Sequence, residues 1–490
     1  MDPLEALDEL HVVSDLHLGG PPGRRIFDQE DALAALIDHV ATLPAERRAG
    51  LVLNGDIVDF LASEDAAYLV PERAVAMLEE IAAAFPKVFA ALAALTRTPD
   101  RRLILVIGNH DVELGLEHVQ RWFAATLCGD DPAARGRLSF HMDGTGYPCS
   151  VGGARVLCVH GNGVDEWNVV DHEALRRVRL HLNRGQARDP WVPNAGTRLV
   201  IDVLNALKRD YPWVDLLKPE TKLIPRLLMA LDPGQLGRLR LFVGAFAGTV
   251  RDGGQRVDYL GAEDGAFSPA GSGSTDAMLA ELLGTEGAPT TDPARLLEEA
   301  ERDFAAGRDA VDLARAEGGE ATLGFGQLLW DRLRGVPPRE ALRKALVDWL
   351  GKDETFALGT LDDTCKRLDS AVGAGVDFLI AGHTHLARAI KRRRGFYYNS
   401  GTWIRLIDLG KGLLDSEERF APAFDVLTAK RASLAQLDAV PGLITRRPTV
   451  VRLRAEPDGV HGDLCLVTAA DGRATLTPLE GSHFTREASR

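Results

Sequence analysis

Five short polar words each end an apolar run: Asp15-Leu16-His17, Gly55-Asp56-Ile57-Val58-Asp59, Gly108-Asn109-His110-Asp111, His160-Gly161-Asn162 and Gly382-His383-Thr384-His385. Their side chains are carboxylates, imidazoles and an amide, the donors that hold divalent cations. Two such ions roughly 3.5–4 Å apart need a bridging anion, and a carboxylate serves well. Each ion also needs neutral donors and open positions for water and substrate. A pair held this way lowers the pKa of bound water and screens charge on phosphoryl oxygens, so the chemistry indicated is hydrolysis of a phosphate ester. Gly55, Gly108, Gly161 and Gly382 adjoin the candidate ligands, where tight turns and close backbone approach are needed.

Taken singly, most of these words carry little weight. An isolated Asp-Leu-His or Gly-Asp-x-x-Asp is more often a turn or a cap than a ligand set. Gly-Asn-His-Asp is more specific, and Gly-His-Thr-His directly after an apolar strand is the strongest single word. His11, His39, His118, His172 and His181 read instead as satisfied strand or helix residues. Asn162, Asp165 and Glu166 follow His160 and read either as a capped helix start or as lining of a substrate site.

The elements that must position these words follow from periodicity. Leu10-His11-Val12-Val13, Leu51-Val52-Leu53, Leu103-Ile104-Leu105-Val106-Ile107 and residues 154–159 read as strands covered on both faces, because they lack a clean alternation. Residues 31–42, 71–95 and 114–127 carry apolar residues at helical spacing. A β-α-β-α-β rhythm with polar words at the strand ends places a site where the loops converge. After His160 the rhythm stops. Residues 173–182, 198–208, 223–231, 294–306, 323–334, 339–350 and 355–372 read as helices. A Gly/Ser/Ala/Thr-rich stretch, 261–291, interrupts them with a short helix at 277–283. Strands resume at 377–381 and at Phe396-Tyr397-Tyr398, which Asn399-Ser400-Gly401 closes. A helical stretch near 417–439 and a hairpin of 449–454 with 464–468 end the pattern. The division expected is a core formed by 1–165 and 371–490, the latter with a C-terminal extension, split by a mostly helical insert at 166–370 that caps the site.

Over residues 10–165 and 375–405 the five words, in this order, resemble the calcineurin-like metallophosphoesterase superfamily. The resemblance implies an α/β fold, a four-layer α-β-β-α sandwich. It implies that Asp15, His17, Asp56 and His385 ligate one metal and that Asp56, Asn109, His160 and His383 ligate the second, with Asp56 bridging. Residues two apart on an extended segment face one side, which suits Asp15 and His17 on a single ion. His383 and His385 would diverge in a turn. The family's reaction is attack by a metal-bridging hydroxide. His110 would contact the phosphate or protonate the leaving oxygen, Asp111 would orient His110, and Asp59 would orient a ligand. Manganese is the foremost metal, with iron or zinc compatible. Ser14-Asp15-Leu16-His17-Leu18-Gly19 and His160-Gly161-Asn162 look nearest to the branch of UDP-2,3-diacylglucosamine pyrophosphatases. That branch usually carries Arg where this chain has His110.

Composition narrows the partners. A net charge of -14 disfavours sequence-independent binding of nucleic acid, so a nuclease of the same superfamily ranks second. A scaffold that has lost catalysis ranks third, since no expected ligand is missing. The expected substrate is small and phosphorylated, nucleotide- or lipid-linked forms included, with Arg24, Arg25, Arg176, Arg177, Arg179 or the 391–394 run as candidate cations. The N-terminus lacks the basic and apolar regions of a signal peptide, and no apolar stretch is long enough to span a bilayer. Five widely spaced cysteines without a CxxC point to a reduced, cytoplasmic setting.

Overall fold

The apolar runs that precede the polar words become neighbouring strands of two stacked sheets. The computed structural model describes residues 4–62, 68–166, 168–187, 191–200, 205–218, 227, 336–350 and 355–488. The strands are β1 (Glu5–Leu7), β2 (Glu9–Val13), β3 (Ala49–Asn54), β4 (Arg101–Val106), β5 (Leu138–His141), β6 (Tyr147–Val151), β7 (Ala154–Cys158) and β8 (Phe378–Ala381). They continue with β9 (Arg388–Lys391), β10 (Phe396–Asn399), β11 (Leu406–Ile407), β12 (Ile444–Thr445), β13 (Thr449–Glu456), β14 (Gly459–Ala470), β15 (Arg473–Pro478) and β16 (Phe484–Glu487).

One sheet has the order β1-β6-β7-β8-β10-β9; the other runs β15-β14-β13-β2-β3-β4-β5, with β16 on β14. In the second sheet β2, β3 and β4 are parallel, with Val12, Val52 and Ile104 in register. Their C-terminal ends therefore deliver the first three words side by side. In the first sheet β7 and β8 are parallel, with Val156 opposite Phe378. That pairing sets His160 beside Gly382-His383 although a long stretch of chain separates them.

The sheets face each other through one apolar layer. Leu10, Val12, Val52, Ile104 and Val451 from one sheet pack against Cys149, Val156, Cys158, Phe378 and Tyr398 from the other. Helices cover the outer faces. Helix Glu30–Ala41 and its neighbours bury Leu33, Leu36, Ile37, Leu92 and Phe123 against β3 and β4. Helix Asp363–Ala371 puts Cys365 and Leu368 on Leu379 and Tyr397. The α-β-β-α sandwich is thus realised, with β2, β3 and β8 buried on both faces, whereas β7, expected to be covered on both faces, alternates and exposes Arg155. All five cysteines are buried and unpaired. No helix among the described residues is long and apolar enough to cross a membrane.

Several helix bounds differ from the periodicity, for local reasons. The 71–95 stretch is two helices, Pro71–Ala84 and Pro86–Arg97. Pro86 has no N–H and pushes Phe85 out of helical geometry, to φ -129° and ψ 56°. The 114–127 stretch begins as a 3-10 turn, Val112–Gly115, before helix Glu117–Cys128. Of 355–372 only Asp363–Ala371 is helical, because Asp362 caps it by accepting from Cys365 N at 2.8 Å. The 417–439 stretch is Glu417–Thr428 and then Leu434–Asp438, started by a Ser433–Gln436 capping box. The 173–182 and 339–350 stretches form helices His172–Asn183 and Pro338–Leu350. The hairpin forms with longer arms, β13 and β14. Of 198–208, pieces fall in Ala195–Leu199 and Asn205–Asp210. The expected helices at 223–231, 294–306 and 323–334 and the 261–291 stretch lie outside the described residues, apart from Leu227.

Arg101 fixes the sheet to its helical cover. It is 2% exposed at the start of β4. Its guanidinium donates to the carbonyls of Val40 (3.0 Å), Arg47 (2.7 Å) and Pro44 (3.1 Å), at the end of helix Glu30–Ala41 and in the turn beyond. Arg101→Met leaves those carbonyls buried without a donor. It is expected to lower stability by about 3 kcal/mol, read from urea unfolding. A loss below about 1 kcal/mol would mean that water replaces the guanidinium.

Candidate metal centre

The strand ends turn abruptly into the site. Asp15 (φ 53°), His17 (46°), Asp56 (50°), His383 (72°) and His385 (59°) all adopt left-handed backbone conformations. Such conformations are uncommon outside glycine, and they persist only where the surroundings impose them. The first two words are zipped together: Asp15 N donates to Gly55 O (3.1 Å), His17 N to Asp56 O (3.0 Å) and Leu18 N to Ile57 O (3.0 Å). The extended-segment reason for pairing Asp15 with His17 therefore does not hold. The two side chains converge through consecutive backbone reversals.

Two groups of side chains could each hold a metal ion. Asp15, His17, Asp56 and His385 form one; Asp56, His160 and His383 form the other. Asp56 belongs to both, and His383 and His385 diverge, one to each group. His17 Nε2 lies 3.0 Å from His385 Nε2, and His385 Nε2 lies 3.2 Å from Asp15 Oδ1. His160 donates from Nδ1 to Asn54 O (2.9 Å), which turns Nε2 toward Asp56 Oδ2 at 3.2 Å. Asn109 Oδ1 and His160 Nε2 are buried without a hydrogen-bond partner. Unpartnered polar atoms at a cluster of carboxylates and imidazoles are what a cation would satisfy, His160 Nε2 once its proton is displaced, so these residues fit a divalent metal.

The electrostatics point the same way. Burial pushes Asp15 up, but the charge and hydrogen bond of His385 and the charge of His160 together outweigh it and hold the carboxyl at about 2. Burial likewise opposes ionisation of Asp56, and His160 and His110 bring it well below the usual carboxylate range. Burial disfavours charge on His160, yet Asp56 carries it up to about 10. His110 is raised to about 9 against burial, by Asp56 and Asp59. His385 is pushed down to about 4, by burial and by the charge of Lys218. The site thus concentrates negative charge that only protons or cations can balance.

The three residues expected to assist divide into two roles. Asp59 stands between imidazoles, with Oδ2 3.5 Å from His17 Nδ1 and Oδ1 3.4 Å from His110 Nδ1. Asp111 does not reach His110 with its carboxylate, contrary to the expectation. Its oxygens accept from Gly108 N (2.6 Å) and Ile57 N (2.7 Å), so it braces the second word against the third. Burial and the charge of Asp56 push it up to about 7, against those two N–H bonds. His110 reaches the site through its backbone too, donating from N to Asp56 Oδ1 at 2.9 Å.

Other members emerge only in three dimensions. Asp165 Oδ2 lies 2.8 Å from His383 Nε2 and also accepts from Asn168 Nδ2 at 2.8 Å. Its side chain sits at the site, and the helix start that follows is capped by Asp171 instead. Thr402 Oγ1 donates to Asp15 O (2.8 Å), Ser14 Oγ meets Asp15 Oδ2, and Asn399 Nδ2 holds Gly382 O (2.6 Å). Asn399-Ser400-Gly401 follows an apolar strand as the five words do, and that pattern was the signal for it. Of the cations named for the substrate, Arg25, Arg176 and Arg392 are engaged elsewhere. Arg25 lies over Phe85, Arg176 pairs with Glu173 (2.9 Å), and buried Arg392 pairs with Asp369 (2.5 Å). Among the described residues, the charge of Lys218 acts on His385 and that of Lys208 on His110, although Lys208 also pairs with Asp215 at 2.8 Å.

The family model for calcineurin-like phosphoesterase matches residues 10–218. The matched span holds Asp15, His17, Asp56, Asn109 and His160, and it supports the superfamily. No curated protein matches the chain. A calcineurin-like phosphoesterase domain and buried Asp/His groups together fit metal-dependent hydrolysis of phosphoric esters.

Gly108 has no room for a side chain: a Cβ there would run into the Asp56 carboxylate and backbone N. Gly108→Ala is expected to displace Asp56, lowering both bound divalent metal and activity at least tenfold while the chain stays folded. Metal analysis and circular dichroism check this. Full metal content in the folded variant would show that the loop yields instead.

Proposed function

We propose that this site binds two divalent cations and hydrolyses a phosphate ester or pyrophosphate of a small phosphorylated substrate. The observation that carries the reading is the membership of Asp56 in both metal-capable groups, the position a bridging carboxylate must take. Asp15, His17, Asp56 and His385 would hold one ion; Asp56, Asn109, His160 and His383 would hold the other. Ions bound there lower the pKa of coordinated water and offset charge on phosphoryl oxygens. The hydrogen bond of His160 Nδ1 to Asn54 fixes the tautomer that offers Nε2. Asp165 does the same for His383, leaving Nδ1 as its ligand atom. Asp59 holds His17 and His110 in place. With its Nδ1 engaged, His110 delivers a proton to the leaving oxygen from Nε2. Manganese is the foremost ion, with iron or zinc tolerated by the same donors.

The core is split in this reading. Residues 1–165 and 371–490 build it, and 166–370 is an insert over the site. The influence of Lys208 and Lys218 on His110 and His385 supports that placement. Buried unpaired cysteines support a cytoplasmic setting. The first and fourth words support the pyrophosphatase branch, whereas His110 in place of its usual Arg argues against carrying over its lipid substrate. A net charge of -14 ranks a nuclease second. The complete ligand set ranks a scaffold last.

Asp56→Ala is expected to abolish turnover of a phosphomonoester, a phosphodiester and a nucleotide pyrophosphate assayed with Mn²⁺, and to lose bound metal, because both ions lose a ligand. Retained activity at full metal loading would overturn the bridging role. A panel in which only single-stranded DNA is cleaved would favour the nuclease. His110→Ala is expected to keep its metals and to slow hydrolysis about 10²–10⁴-fold, most for poor leaving groups. An equal effect on good and poor leaving groups would remove His110 as the acid.

A further inference from the structure

The strands at the far edge of the second sheet carry another histidine cluster, independent of the candidate metal centre. His461 lies on β14 opposite Thr485 of β16, and His483 precedes β16 by one residue. Residues two apart share a face of a strand, so the three side chains stand together. His461 Nε2 is 2.8 Å from Asp458 Oδ1, and His483 Nδ1 is 2.8 Å from Asp463 Oδ1. A carboxylate at that distance requires an N–H on the ring nitrogen it faces. In the neutral imidazoles the remaining nitrogens, His461 Nδ1 and His483 Nε2, are then lone pairs. They face each other at 3.5 Å, with Thr485 Oγ1 at 3.1 and 3.2 Å. One hydroxyl proton cannot serve two lone pairs, so one of the two ring nitrogens is left to a donor or a cation from solvent.

We propose that this pocket is a transition-metal site of the zinc type, with His461 Nδ1 and His483 Nε2 as ligands and Thr485 Oγ1 beside them. Tetrahedral zinc with bonds of about 2.0–2.1 Å places its ligand atoms roughly 3.3–3.4 Å apart, close to the separations present. A carboxylate behind each imidazole fixes the tautomer and raises its basicity, the pattern found behind metal-bound histidines. Asp463 is itself anchored, since its other oxygen lies 3.1 Å from Arg452 and 3.5 Å from Arg454. The His483 side chain is 55% exposed, so an ion reaches the pocket from solvent. Bound there, it ties β16 to β14.

Zinc chloride added to the full chain tests this by equilibrium dialysis and metal analysis. Native protein is expected to hold one zinc equivalent more than His483→Ala or His461→Ala, with phosphoesterase activity equal in all three. Asp458→Asn, at an exposed turn, is expected to weaken that equivalent about 10–100-fold. Equal zinc content in native and variant chains would overturn the site and leave a proton-sharing histidine pair. Should the alanine variants fail to fold, diethyl pyrocarbonate modification of native protein decides. Zinc protection of His461 and His483, mapped by mass spectrometry, supports the site, and undiminished modification overturns it.

Discussion

Four carboxylates, Asp15, Asp56, Asp59 and Asp111, are buried at the ends of adjacent strands. Placed there unbalanced, they would drive the strand ends apart, since charge buried in a medium of low polarity is expensive unless it is paired. The structure balances them in two ways. Backbone N–H groups take both oxygens of Asp111 and one oxygen of Asp56. Imidazoles face the remaining oxygens, and without cations His110 and His160 carry protons, as their upward displacement records. A cation entering the cluster displaces those protons, so metal affinity rises with pH while the imidazoles still titrate.

The same constraint accounts for the backbone. Bringing several carboxylates and imidazoles within reach of two ions requires their Cα atoms to crowd, and an extended chain spaces side chains too widely. The left-handed turns at Asp15, His17, Asp56, His383 and His385 supply the crowding. Hydrogen bonds between words, from Asp15 N to Gly55 O and from His383 N to the Asp15 carboxylate (3.0 Å), hold those turns. Gly55, at φ 84°, lies against the His160 ring, so the second and fourth words touch only because no side chain intervenes.

The ligand candidates were legible in the sequence because chemistry restricts their types and because each follows a strand that periodicity reveals. The geometry joining them was not. Asp15 and His17 meet through a reversal that no spacing rule encodes. Asp111 looked like a partner for His110, but free N–H groups at Gly108 and Ile57 compete for its carboxylate and win, a matter of where strand ends fall in space. Asp165 meets His383 across 218 residues of sequence, so its assignment depended on β7 and β8 being neighbours. Helix bounds went astray where a proline or a cap overrode the apolar rhythm, at Pro86 and at Asp362.

Sheet topology decides which cations can act on a substrate. Arginines near the words in sequence were natural candidates, yet Arg176 and Arg392 face the carboxylates of Glu173 and Asp369 instead. Lys208 and Lys218 stand far from every word in sequence. They reach the site because 205–218 packs on the C-terminal helices, with Trp213 fully buried and donating to Leu427 O at 3.0 Å. The strand ends hold the negative groups that could bind metal, and the packed segment brings Lys208 and Lys218 within electrostatic reach of His110 and His385. Lys208 is held on that segment by Asp215, 2.8 Å away, and not by the carboxylates of the cluster.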